Sequence, residues 1–322
     1  MGGRNSERGE RKSPLSEKKM EGVAGRLTLT RREWLIGAAT AIPTMWVRAK
    51  ERQGASGQAG AEASIAAIEA RLGGRMGVAA LDTGSGRRIE HRAGERFPMC
   101  STFKFLLVAA ILTRVDAHGE KLDRVIRYAK SDLLEYAPVT RGHAEEGGMT
   151  ISDLCAAAIE YSDNTAANLL LNVLGGPKGV TAYARSLGDG VTRLDRNEPA
   201  LNSAIPGDKR DTTSPSAMLE DMKKILVEEK ALQEDSRKRL EEWMAGNTTG
   251  TDLLRAGLPV SWRIGDKTGS GRNGATNDIA ICRPPNRPPI LVTAYFVESK
   301  APDTERRAAI AEVGRIVGRE LA

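Results

Sequence analysis

The stretch that most constrains this 322-residue chain is Phe105-Leu106-Leu107-Val108-Ala109-Ala110-Ile111-Leu112, entered through Phe97-Pro98-Met99-Cys100-Ser101-Thr102-Phe103-Lys104. An apolar run without a polar face, preceded by a proline and small polar residues, predicts a helix that starts near Pro98 and is buried on every side. Other elements must wrap around such a helix. Ser101 and Lys104 stand three apart, so on a helix their side chains share one face. A hydroxyl beside an amine whose pKa is lowered by burial is an activated-nucleophile arrangement. The spacing alone is also met by a helix cap and a snorkelling lysine, and the chain repeats it at Ser16-Glu17-Lys18-Lys19 in a polar tail.

The formal charge of +6 belongs to one end of the chain. Residues 1–49 hold ten Lys or Arg against five acidic residues, which leaves only +1 for the rest. That distribution argues against a nucleic-acid partner for the folded part. Within the leader, Arg31-Arg32 precede the short apolar stretch Leu35 to Trp46. The stretch is too short to span a bilayer comfortably and fits the core of an export signal, with Val47-Arg48-Ala49 offering small residues at a cleavage spacing. The paired arginines resemble a twin-arginine signal. The expected organisation is an export signal over 1–49, a Gly/Ala/Ser linker over 50–63 and a folded domain over 64–322, periplasmic or secreted, a monomer, with no stable membrane association after export.

The domain opens with an amphipathic helix from Ser64 to Leu72. Two strands follow, Met76 to Leu81 and Arg88 to Arg92, around the turn Asp82 to Arg87. From Lys121 to Gly246 the pattern is helical, with loops at Tyr136 to Gly148 and Asp189 to Thr213. Ser261 to Lys267, Asn277 to Cys282 and Ile290 to Phe296 return to strand patterns, and Arg306 to Leu321 closes as a helix. Strands at both ends with helices between them imply one sheet assembled from distant segments, a helical lobe beside it and a cleft between the two. Cys100, Cys155 and Cys282 are too few for a disulfide scaffold, and His91, His118 and His143 lack metal-site spacing, so no metal and no cofactor are expected.

Two further motifs share the order of the chain. Ser162-Asp163-Asn164 closes the helical run from Ile151 to Tyr161, where it also fits a plain helix-boundary turn. Lys267-Thr268-Gly269-Ser270-Gly271 offers a charge and two hydroxyls to an anion, and equally fits a strand end entering a glycine turn. Together with Ser101-x-x-Lys104 they resemble the signature set of the class A β-lactamases and penicillin-binding proteins. Arg193 to Asn202, ahead of Asp211, is similar to the omega loop of the class A enzymes, in which a Glu-Pro pair presents a carboxylate to a catalytic water. Only a lactamase must activate water to release its acyl-serine quickly.

The resemblance implies an α/β fold of the β-lactamase/transpeptidase type: an antiparallel sheet built from N- and C-terminal segments, flanking helices and an inserted all-helical lobe. It implies hydrolysis of penicillins and cephalosporins, with resistance as the consequence. Ser101 would attack the β-lactam carbonyl, with Lys104 or Glu198 as the acylation base. The backbone amides of Ser101 and Ser270 would form the oxyanion hole, and Ser162 would pass a proton to the departing nitrogen. Glu198 with Asn202 would hold the water. Lys267, Thr268, Ser270 and Arg307 would bind the substrate carboxylate, Asn164 its acylamido group, and Tyr136 would line the entrance. Arg196 and Asp211 would close the loop's neck, with a cis bond before Pro199. The chain departs from relatives in having Thr276 where some carry an arginine. It also pairs Cys155 with Val108, and Cys100 with Gly271, at positions where others form disulfides. The rivals are a D,D-peptidase and a penicillin-binding sensor domain, both disfavoured by Glu198.

Overall fold

The computed structural model describes residues 58–322. The expected export signal and residues 50–57 of the expected linker lie outside the described residues. A helix over 58–72 (α1) comes first and buries Ala61, Ile65 and Ile68 along one stripe. The linker was expected to reach residue 63, but the helix has already begun at 58. Gln58 bonds Glu62 one turn on, the Ser64 hydroxyl donates to the Gly60 carbonyl, and the intervening alanines are the strongest helix formers.

Strands β1 (Arg75–Asp82) and β2 (Arg88–His91) form the expected hairpin. Its turn is held by the Asp82 carboxylate, which accepts from Gly84 N–H at 2.9 Å and Ser85 Oγ at 2.7 Å. The next stretch differs from the sequence expectation. Phe97–Pro98 is a short strand (β3) paired with Thr212–Thr213, not the start of the central helix. Tertiary contacts override the local signal: the Phe97 ring fills the space over Gly77, and the Asn277 amide donates to the carbonyls of Pro98 at 2.9 Å and Met99 at 3.1 Å. A single 3₁₀ turn, Cys100–Thr102, then leads into α2 (Phe103–Asp116), in which every residue from Phe103 to Leu112 is buried, Lys104 included.

The inserted lobe wraps α2. A small hairpin, β4 (Val125–Ile126) with β5 (Met149–Thr150), introduces α3 (Ile151–Glu160), followed by α4 (Asn164–Val173) and α5 (Pro177–Ser186). Thr150 caps α3, Asp163 caps α4, and Pro177 stands in the first turn of α5. After the 189–211 loop come β6 (Thr212–Thr213), α6 (Pro215–Leu226), α7 (Glu234–Ala245) and the short α8 (Leu254–Gly257). Strands β7 (Arg263–Ser270), β8 (Thr276–Arg283) and β9 (Ile290–Val297) and helix α9 (Asp303–Leu321) complete the chain.

The main sheet has the order β2-β1-β9-β8-β7, antiparallel throughout, so the first hairpin pairs with the last strand. Side chains alternate between two apolar layers. Met76, Val78 and Ala80 of β1 pack with α1 and α9; Ala79 and Leu81 pack with the layer that includes α6 and the helical lobe. This is the expected α/β arrangement. One boundary moves: β7 was expected to end at Lys267 but continues to Ser270, because Thr268, Gly269 and Ser270 stay in register opposite Asp278, Asn277 and Thr276. Among the described residues no helix is long and apolar enough to cross a membrane.

Candidate active site

Ser101 occupies the 3₁₀ turn between β3 and α2, directly after Cys100, whose φ of 45° puts the backbone in the left-handed region. Lys104 lies one turn further, its ammonium wholly inside the protein. Its Nζ is 3.0 Å from Ser101 Oγ, 2.7 Å from the Ser162 carbonyl, 2.7 Å from Asn164 Oδ1 and 3.1 Å from Glu198 Oε1. Ser101 Oγ lies 3.3 Å from the same Glu198 oxygen. The hydroxyl is thus an acceptor toward the ammonium and a donor toward the carboxylate.

The Ser162-Asp163-Asn164 turn joins α3 to α4, with Ser162 at φ 59°. Its middle residue has a structural task. The buried Asp163 carboxylate accepts from the N–H groups of Val139 (3.0 Å), Thr140 (2.9 Å) and Ala166 (2.9 Å), which fixes the turn against the loop carrying Tyr136. Ser162 Oγ is thereby held 3.0 Å from Lys267 Nζ and 3.4 Å from Lys104 Nζ, a hydroxyl bridging two buried amines. Tyr136 stands half exposed at the rim.

The 189–211 loop forms the opposite wall. Its neck is closed by Asp211, which accepts the N–H groups of Asp195 (2.7 Å) and Arg196 (2.9 Å) and the Arg196 guanidinium (2.5 Å). The Asp211 carbonyl accepts Met99 N–H at 2.9 Å, so the neck is tied to the segment before Ser101. The Glu198-Pro199 peptide is cis. Asn202 Nδ2 donates to Glu198 Oε2 at 2.5 Å, leaving Oε1 to face Ser101 and Lys104. Residue Asn168, which the motifs did not single out, exchanges hydrogen bonds with the Glu198 backbone. It stands one helical turn after Asn164, so helical periodicity from the Ser162-Asp163-Asn164 motif would have pointed to it.

The third wall is β7, the edge strand of the sheet. Gly269 permits close approach to the Ser101 turn: a Cβ there would lie 2.7 Å from the Met99 carbonyl oxygen and 3.2 Å from Thr102 N. Thr268 Oγ1 is 2.5 Å from Thr249 Oγ1, another residue the motifs missed, lying in a polar loop that offers no sequence signal. Arg307 reaches the cleft from α9, with its guanidinium on the Asp252 carboxylate and, at 3.2 Å, on the Thr249 carbonyl. A second arginine of α9, Arg306, donates to Thr276 Oγ1 at 3.2 Å. The turn after β7 is bonded to the loop through Arg272 N–H and the Asn202 carbonyl, 2.9 Å apart.

These walls enclose a cleft of about 350 Å³ lined by Ser101, Tyr136, Ser162, Asn164, Asn202, Thr268, Ser270 and Arg307, all singled out from the sequence, together with Thr249. Lys104, Lys267 and Glu198 lie just beneath, and Arg196, Pro199 and Asp211 form the loop. Burial lowers the pKa of Lys104, while the charges of Glu198 and Asp163 act against it. Lys267 is lowered to about 7, first by burial and then by the like charge of Lys104. Burial, followed by the charge of Glu198, pushes the Cys100 thiol well above its ordinary range, so it is an inert neighbour of Ser101. All three cysteines are free and buried.

A serine held between a buried amine and a carboxylate is equipment for acyl transfer through a covalent intermediate. Residues 60–321 match the model of the beta-lactamase enzyme family. The chain is 47% identical over 253 residues to beta-lactamase OXY-1 of Klebsiella oxytoca, covering 79% of this chain and 86% of that relative. It is 48% identical over 257 residues to beta-lactamase AST-1 of Nocardia asteroides, covering 80% and 82%. Among solved structures, the class A beta-lactamase of the last common ancestor of Gram-negative bacteria superposes with a TM-score of 0.80 at 56% identity, over 81% of this chain and 99% of that one. The chain belongs to the beta-lactamase enzyme family, in class A.

Proposed function

We propose that this enzyme opens the β-lactam ring of penicillins and cephalosporins by forming an acyl-serine on Ser101 and hydrolysing it with water activated by Glu198. The observation that carries this reading is the placement of Ser101 Oγ 3.0 Å from Lys104 Nζ and 3.3 Å from Glu198 Oε1. Lys104 already donates to the Ser162 carbonyl, Asn164 and Ser101, the full donor capacity of an ammonium. In that state the acceptor for the Ser101 proton is Glu198, which favours the carboxylate as acylation base; a deprotonated Lys104 is the alternative.

Attack on the lactam carbonyl builds charge on its oxygen, which the backbone N–H groups of Ser101 and Ser270 stabilise. Ser162, linked to Lys104 and Lys267, gives its proton to the departing nitrogen and recovers one through Lys104 from Glu198, which thereby passes on the Ser101 proton and is a carboxylate again. Acylation removes the Ser101 hydroxyl from Glu198 Oε1, which then accepts a proton from water while Asn202 holds Oε2. Lys267, Thr268 and Ser270 take the substrate carboxylate at the mouth of β7, with Arg307 adding positive potential behind Thr249. Asn164 is within reach of the acylamido group and Tyr136 of the substrate's outer face. Export through the twin-arginine-type leader, with cleavage after Ala49, belongs to the same proposal; the mass of the exported chain tests it.

The deciding experiment follows ring opening of a chromogenic cephalosporin by the purified protein and by Glu198→Ala. Sustained turnover by the wild type, with the variant trapped as an acyl-serine of increased mass, supports the assignment. A single stoichiometric burst from the wild type overturns it in favour of a penicillin-binding protein.

A further inference from the structure

Beneath the far end of the Glu198 loop lies a buried group that the chemistry above does not use. Asp221 on α6 is fully buried, and neither of its carboxylate oxygens has an N–H or O–H donor among the described residues. The cations nearby are engaged elsewhere. Arg185 donates to the carbonyls of Asp189 and, at 2.8 Å, Thr192; Lys224 donates to the carbonyl of Leu187. The group that faces Asp221 is a second carboxylate, Asp189.

The two acids are not equivalent. Asp189 Oδ1 accepts from Val191 N–H at 2.6 Å and Thr192 N–H at 3.0 Å, so its charged form is already solvated by the backbone. Burial acts to raise Asp189, but these bonds outweigh it and its carboxyl sits below the ordinary range. Asp221 has no such partners. Burial, and then the charge of Asp189, push it up to about 9. Two carboxylates that face each other in a buried site share one proton, and the better-solvated one is the anion.

We propose that Asp221 is a positioning residue for the Glu198 loop: it holds a proton at neutral pH and donates it to the Asp189 carboxylate, pinning the root of the loop to α6. Asp189 orders the turn 189–192, from which Thr192 Oγ1 pairs with Thr213 Oγ1 at 2.6 Å and Arg193 bridges to Thr212, just before the Arg196–Asp211 neck. The kinetic consequence rests on Glu198 acting in deacylation as proposed above; the protonation itself does not.

Other titratable groups facing the pair are Arg185 and Tyr183 from α5, Lys224 from α6 itself, and Tyr295 from β9. Burial raises both phenols, Tyr183 to about 12, so neither ionises in the mildly alkaline range. A carboxyl whose folded pKa is raised contributes stability that is complete in acid and lost as pH rises through that pKa. The wild type therefore loses stability steadily from about pH 4 to about pH 9, above which the contribution levels off, and Asp221→Asn, which donates at every pH, flattens that slope.

The test uses the full-length protein and three readouts. Infrared difference spectroscopy at neutral pH shows a protonated-carboxyl carbonyl band in the wild type that Asp221→Asn removes; no band lost with this variant overturns the proposal. Melting temperature between about pH 5 and pH 9 shows the steeper fall in the wild type; equal slopes overturn it. With the chromogenic cephalosporin, Asp221→Asn keeps deacylation within about twofold while Asp221→Leu, similar in size but without a donor, slows it about tenfold and leaves the acylation burst intact. Equal losses in the two variants overturn it. The first two readouts need no β-lactam, so they stand or fall separately from the assignment of hydrolysis.

Discussion

Asn168 spans the backbone of Glu198, donating Nδ2–H to the Glu198 carbonyl at 3.0 Å and accepting the Glu198 N–H on Oδ1 at 3.0 Å. One side chain of a rigid helix therefore satisfies both polar groups of a loop residue, and the Glu198 carboxylate inherits the precision of α4. Replacing it by alanine leaves two backbone groups without partners, a loss of about 1–3 kcal/mol for each that water does not reach. The expected outcome for Asn168→Ala is an acylation burst of normal amplitude followed by turnover slowed at least tenfold. Rapid-mixing kinetics separate the two phases. Unchanged steady-state turnover would show that the loop needs no such anchor.

Asp211 closes the same loop from its other end. Its carboxylate is fully buried and meets two N–H groups and the Arg196 guanidinium, while its carbonyl takes Met99 N–H. Removing one partner of a buried pair costs about 3–5 kcal/mol, and here it also strands the N–H groups of Asp195 and Arg196, while Arg196 keeps, among the described residues, only Asp208, 3.8 Å away. Asp211→Ala is expected to lower the melting temperature by many degrees and to accumulate acyl-enzyme, as Glu198 loses its position. Mass spectrometry of the protein mixed with substrate reads the second effect independently of the first.

Lys267 carries a pH signature. Its pKa of about 7, set by burial and by Lys104, means that the free enzyme loses this charge as the solution becomes alkaline. On the proposed role of this amine in binding the substrate carboxylate in its protonated form, kcat/KM should fall above about pH 7, since that ratio reports the free enzyme. Bound substrate holds the proton on the amine, so kcat is expected to fall only at higher pH. Lys267→Arg, permanently charged, should remove the alkaline limb in kcat/KM while lowering its plateau. Retention of the same limb in the variant would assign it to another group.

Much of this site was legible because its chemistry is written in short spacings. Ser101 and Lys104 meet within one turn, and Glu198 and Asn202 are four apart in a single loop, so local geometry suffices to place each pair. What the sequence concealed depends on contacts between distant segments. Pro98 signalled a helix start but is drawn into a strand by Thr212 and Asn277. The Lys267-Thr268-Gly269 motif read equally well as a turn, and only pairing with β8 extends the strand through Ser270. Thr249 enters the cleft from the loop ahead of α8 through its hydroxyl contact with Thr268, which no periodicity encodes. The alanines of 58–63 resembled a linker by composition, although Ala61 packs into the layer beneath the sheet.

Gly269 provides the strictest test of how β7 and the nucleophile turn are fitted together. A methyl group at this position would stand 2.7 Å from the Met99 carbonyl oxygen and 3.2 Å from Thr102 N, both backbone atoms of the turn that carries Ser101. Neither can rotate away as a side chain would, so Gly269→Ala must push the edge strand outward. Overpacking of this kind costs about 1–3 kcal/mol, which a protein of this size tolerates while remaining folded. The functional cost should be larger if these amides form the proposed oxyanion hole, since the amide of Ser270 moves with the strand away from that of Ser101, and an oxyanion donor displaced from its position costs about 100- to 1,000-fold in rate. The expected result is a folded variant whose acylation is slowed about 100-fold or more, with Glu198-dependent deacylation less affected. Acylation slowed no more than deacylation would mean that the spacing between β7 and the Ser101 turn does not set the geometry of the oxyanion site.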